Sequence, residues 1–90
     1  MAELTQPAYR VVVTGIGVLT PIGIGLREFW SACVAGKNGV GMITLMDVHD
    51  YDCRIGAEVL NFDPEQFMDK KSARKADRFT QFAVAASVMA

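Results

Sequence analysis

Apolar positions change period along the chain, and those changes mark its elements. Arg10-Val11-Val12-Val13-Thr14-Gly15 is a continuous β-branched run closed by glycine, the pattern of a strand buried on both faces. It reads as a central strand. Gly15, Gly17, Pro21, Gly23 and Gly25 then punctuate a loop in which backbone torsions closed to other residues are expected. From Leu26 the period becomes helical: Leu26, Phe29, Trp30, Cys33 and Val34 fall at i, i+3, i+4, i+7 and i+8, one wide apolar stripe. Gly36 followed by Lys37 supplies the C-terminal stop.

Asn38 to Asp52 is turn-rich and acidic, with room for one short strand. Arg54-Ile55-Gly56-Ala57-Glu58-Val59 reads as a second strand. In Asn61-Phe62-Asp63-Pro64-Glu65, proline stands at the first helical position behind an aspartate cap, which predicts a short helix from about Pro64. A basic block follows as further helix over residues 70–78. Asp77 to Ala90 is the strongest helix, with Phe79, Phe82, Ala83, Ala86 and Ala90 on one face and small residues that allow close approach. No glycine, proline or basic last turn closes it at Met89-Ala90. A doubly buried strand needs neighbours and covering helices, and these 90 residues offer few strands and no second long layer. The expectation is the beginning of a larger fold.

Composition narrows the class. Hydrophobic residues are 51% and charged residues 21% of the chain, which excludes disorder, collagen and a disulfide-stapled mini-protein. The formal net charge of −1 gives no global field for nucleic acid or an anionic membrane. The longest charge-free run, Val11 to Leu26, is too short and too broken by glycine and proline to span a bilayer. The N-terminus has no secretory pattern, and the two cysteines suggest reduced thiols, so a cytoplasmic location is expected. Charge is instead local. Residues 38–69 carry seven acids against Arg54, whereas residues 70–78 carry Lys70, Lys71, Arg74, Lys75 and Arg78 against Asp77.

Candidate chemistry is sparse. Gly15-Ile16-Gly17-Val18-Leu19-Thr20 lacks the third glycine of a dinucleotide fingerprint, and Pro21 and more separate it from the helix, so a structural turn is expected. His49 among Asp47, Asp50 and Asp52 has the residue types of a metal site without the spacing of one. No metal and no cofactor are expected. Cys33, on the apolar face of a helix, is expected in the core, and Cys53 is the more exposed thiol. Neither has a histidine or acid partner that would activate it. In a continuous helix Lys71, Arg74, Lys75 and Arg78 would share one stripe at i, i+3, i+4 and i+7. Pattern alone leaves this stripe open between a solubilising face and a landing strip for an acidic partner.

Four ordered segments together resemble a known family. They are Val11 to Gly23, Phe29-Trp30 with Ala35-Gly36-Lys37-Asn38-Gly39-Val40, Phe62-Asp63-Pro64-Glu65, and Asp77 to Ala83. In order and spacing they are similar to the N-terminal part of β-ketoacyl-[acyl-carrier-protein] synthases, synthase II type. Asn38, Ala76 and Cys33-Val34 depart from the family's usual serine, methionine and paired leucines. The resemblance implies an α/β, thiolase-like five-layer αβαβα fold of two similar halves. This chain would be its incomplete N-terminal part, with residues 1–9 an extension and residues 10–90 the truncated domain. It implies a homodimeric acyltransferase of fatty-acid biosynthesis that condenses an acyl thioester with malonyl-acyl carrier protein, with a polyketide-type enzyme or a non-catalytic carrier-binding or split-synthase assembly module as alternatives. The family's catalytic cysteine and two histidines lie beyond the matched stretch, so no catalytic residue is expected here. Lys71, Arg74 and Lys75 match positions that present cations to the acyl carrier protein, and the match gives Arg78 no role.

Overall fold

The computed structural model describes residues 8–90; the expected extension over residues 1–9 falls largely outside the described residues. Two short antiparallel ladders and three helices make a mixed α/β arrangement. Strands β1 (Leu19–Thr20) and β2 (Gly23–Ile24) form a tight hairpin, with Leu19 opposite Ile24. The Thr20 hydroxyl holds the turn, donating to the Gly23 carbonyl at 2.8 Å and accepting from the Gly23 N–H at 3.0 Å. Helix α1 (Leu26–Ala35) packs on β2. It stops as the sequence predicts: Gly36 sits at φ 72°, a left-handed position that glycine occupies without a Cβ penalty. Lys37 N–H then reaches back to the Ala32 carbonyl at 2.9 Å.

Strands β3 (Val40–Met42) and β4 (Ile55–Ala57) pair antiparallel, with Val40 opposite Ala57 and Met42 opposite Ile55. Both were expected, though longer for the second. The Asp63-Pro64 signal yields a single 3₁₀ turn, Pro64–Gln66, capped by the Asp63 carboxylate accepting from Glu65 N–H at 3.0 Å. Helix α2 (Lys70–Lys75) and helix α3 (Arg78–Met89) complete the chain.

The core is thin. Among the described residues only three apolar side chains are buried, and all are alanines: Ala32, Ala73 and Ala85. The radius of gyration is 18.0 Å, against about 12 Å for a compact chain of this length. Three expectations are corrected accordingly. Residues 10–15, expected as a strand, form no ladder with any strand among the described residues, and Val11 is 91% exposed. The α1 stripe is largely uncovered, with Trp30 64% exposed, because only the Ala32 side of the helix meets β2. Cys33 is exposed for the same reason rather than packed in a core.

Glycine close approach also replaces the expected torsional role. Of the glycines from Gly15 to Gly25 only Gly25 has a left-handed φ. A Cβ on Gly17 would instead overlap the Ala86 carbonyl, so the bare backbone lets the N-terminal segment lie directly on α3. The packed side of α3 is Gln81, Phe82, Ala85, Ala86 and Met89. That side is rotated from the expected stripe, leaving Phe79 73% exposed.

Candidate functional site

The basic block forms its own helix. Six residues are too few to hold a helix by propensity, and α2 adds like charges, Lys70 with Arg74 and Lys71 with Lys75 at i, i+4, each pair costing about 0.2–0.5 kcal/mol. Contacts at both ends oppose this. The Asp69 carboxylate accepts from Ser72 N–H at 3.1 Å as an N-cap. The Gln81 side-chain amide, one helix away, donates to the Ala73 carbonyl at 2.8 Å. Ala73 is buried while Lys70, Lys71, Arg74 and Lys75 are exposed. At 3.6 residues per turn these four cations occupy an arc of about 140° that excludes Ala73, with Lys71, Arg74 and Lys75 about 100° or more away from it.

Arg78 does not continue the stripe. Ala76 adopts an extended backbone and ends α2, and Asp77 is the cap residue of α3. The expected single helix over residues 70–78 is therefore broken, and Arg78 belongs to the next element. Its guanidinium donates to the Val59 carbonyl and stacks 4.9 Å from the centre of the Phe82 ring. A cation in the first turn of a helix faces an unfavourable dipole, and these two contacts hold it there. Phe82 in turn meets Phe62 edge-on with centroids 5.1 Å apart, so Arg78 ties α3 to the chain leaving β4.

Two carboxylates are electrostatically distinct. The Ser72 hydroxyl and then its N–H hold the Asp69 carboxyl below the ordinary aspartate range. Leu45 N–H at 2.8 Å and Thr44 N–H at 3.0 Å do the same for Glu58, whose side chain clasps the loop after β3. Sequence reasoning missed Asp69, Glu58 and Gln81. An aspartate three residues before a serine at the start of a basic run was the available signal for the first; the other two act across the fold and leave no local mark.

No other constellation forms a reaction centre among the described residues. A cleft of about 600 Å³ opens between the β1–β2 turn, the end of α1 and the β3–β4 hairpin, lined among others by Pro21, Glu28, Asn38, Glu58 and Phe62. Neither cysteine nor His49 lines it. His49 sits in a turn where its N–H donates to Asp47 at 3.0 Å, while its carbonyl accepts from Arg54. Among the described residues no three histidine, cysteine or acidic side chains gather as metal ligands, and no helix is long and apolar enough to cross a membrane.

Similarity to known proteins covers the chain. Residues 8–90 match the family described as β-ketoacyl synthase, N-terminal domain. The chain is 52% identical over 90 residues, its whole length, to the 3-oxoacyl-[acyl-carrier-protein] synthase 2 of Synechocystis sp., covering 21% of that protein. The enzyme of the same name from Coxiella burnetii is 48% identical over 83% of this chain and 18% of its own length. That of Staphylococcus aureus is 44% identical over 87% of this chain and 19% of its own. Among solved structures, the ishigamide ketosynthase/chain length factor superimposes with a TM-score of 0.80 at 34% identity, over 88% of this chain and 20% of that one. The chain thus spans about a fifth of the length of the curated relatives it matches. Its fold is the corresponding part of a thiolase-like α/β fold.

Proposed function

The chain belongs to the β-ketoacyl synthase family, matching its N-terminal domain, and from that premise we propose that it serves a 3-oxoacyl-[acyl-carrier-protein] synthase of fatty-acid biosynthesis. The activity is the decarboxylative condensation of an acyl thioester with malonyl-acyl carrier protein, an acyl transfer. Within it residues 10–90 form the beginning of the N-terminal domain and contribute sheet, dimer scaffold and carrier-protein docking in a cytoplasmic homodimer. The observation that carries this reading is identity of 52% along the whole chain to an enzyme of that name.

The chain's own part in the chemistry is recognition. Lys71, Arg74 and Lys75 are the docking cations, exposed on one arc of α2 with Ala73 turned inward. An acidic carrier protein would be steered by them, with a salt-sensitive association rate. Arg78 is excluded, because its guanidinium is engaged by Val59 and Phe82. Among the described residues Cys33 and Cys53 have no activating hydrogen-bond partner: the Cys53 thiol donates to the Ile55 carbonyl at 3.6 Å. Neither serves as nucleophile, and catalysis needs groups outside these residues.

The test is a graft. Placing these 90 residues in the aligned stretch of the Synechocystis enzyme, 52% identical to it, is expected to retain condensation. Lys71→Glu in the graft should raise KM for the carrier-protein substrate about tenfold while sparing kcat, as expected when a charge-assisted contact worth about 1.5 kcal/mol is removed. A graft that folds and dimerises yet cannot condense would overturn the family function. An unchanged KM in Lys71→Glu would remove the docking role.

A further inference from the structure

Resting on the docking role of α2, we infer that Asp69 and Gln81 are positioning residues for that helix: two side chains at opposite ends of α2 hold its cations in register for an acidic partner without contributing positive charge. Such a role would not be expected from charge. Asp69 is an acid placed directly before four bases, and by Coulomb's law alone it opposes an anionic partner. Its cap bond to Ser72 N–H at 3.1 Å gives it the opposite effect, because it satisfies an orphan donor of the first turn. Gln81 acts at the other end. It is half-buried on the packed side of α3, and its amide reaches the Ala73 carbonyl at 2.8 Å, one of the last-turn acceptors without an intrahelical partner.

The physical need is specific to this helix. A six-residue segment with repelling neighbours has no intrinsic helical stability. If α2 unwinds, Lys71, Arg74 and Lys75 no longer share one arc, since in extended chain successive side chains alternate between faces. The charge count is then unchanged but its geometry is lost. Helix α3 has no such dependence, as its cap residue Asp77 makes no side-chain bond.

The graft into the Synechocystis enzyme is titrated with a fluorescently labelled acyl carrier protein at low and at moderate ionic strength, with far-UV circular dichroism confirming that each variant keeps the helix content of the parent graft. Gln81→Met, which keeps the shape but cannot donate, is expected to weaken binding about fivefold and to flatten the salt dependence. Asp69→Ala should weaken it by a similar factor. Asp69→Asn, an equally good cap without the charge, should bind at least as tightly as the parent. A purely electrostatic role predicts that both Asp69 variants bind more tightly and that Gln81→Met changes nothing. That result, with Lys71→Glu still weakened, overturns the positioning roles alone. If Lys71→Glu also binds unchanged, the docking reading falls and takes this inference with it.

Discussion

Helices α2 and α3 are neighbours in sequence and expose opposite chemistry. Between Lys75 and Arg78 only Ala76 and Asp77 intervene, yet α2 turns four cations outward while α3 turns out Phe79, at 73% exposure, and Val88, at 62%. The first is an ordinary surface: charged groups keep their hydration and the single apolar residue, Ala73, is inside. The second is an uncovered packing face, since apolar area of this kind favours removal from water by about 25 cal/mol per Å². Exposure alone therefore does not identify an interaction surface. Both helices expose large side chains, and the surfaces they present differ, one cationic and one apolar.

The comparison can be broken most strongly from the side of α3 that is already packed. Gly17→Ala drives a Cβ into the Ala86 carbonyl and is expected to destabilise the packing of the N-terminal segment on α3 by about 1–3 kcal/mol. Thermal unfolding followed by circular dichroism should show it, with the amide protection of α2 retained. A neutral Gly17→Ala would mean that the segment does not rest on α3.

Acid should separate the two helices next. The Asp69 carboxyl is held below its ordinary value by Ser72, so its cap is fully present above the unfolded aspartate value near ~4 and is lost as pH falls through the lower folded value. Helix α2 should fray in that window. Helix α3 should not fray through a lost cap, because Asp77 makes no cap bond to lose. Amide exchange resolved along residues 70–89 checks this, and simultaneous fraying of both helices would count against it. Glu58 follows the same sign: its hold on the Thr44 and Leu45 amides should loosen at acid pH.

The smallest effect sharpens the contrast from the exposed side. Val88→Ser removes apolar surface that already faces water, so stability should change by no more than about 0.5 kcal/mol. Binding of a hydrophobic dye should fall. A loss of several kcal/mol would show that Val88 is covered.

Legibility from sequence followed the range of the interactions involved. The Gly36 stop, the Asp63-Pro64 start and Asp77 as the boundary of α3 were all readable, because each depends on groups within about four residues. The break at Ala76 was not, and it separated Arg78 from the cations expected beside it. Nor were the contacts of Gln81 with Ala73, of Arg78 with Val59, or of Glu58 with Thr44 and Leu45, which span 8 to 19 residues. Cys33 shows the same limit from the apolar side: periodicity placed it on a greasy face, but exposure depends on whether anything meets that face.

By itself, the sequence determined where elements begin and end, where the cations are concentrated, and the family resemblance in four ordered segments. Only the tertiary structure decided which faces are covered, which glycines permit backbone contact, and which of five basic residues is engaged by a neighbouring element. Caps and periodicity act locally and are written in adjacent residues, whereas burial and long-range hydrogen bonds are properties of partners brought together by the fold.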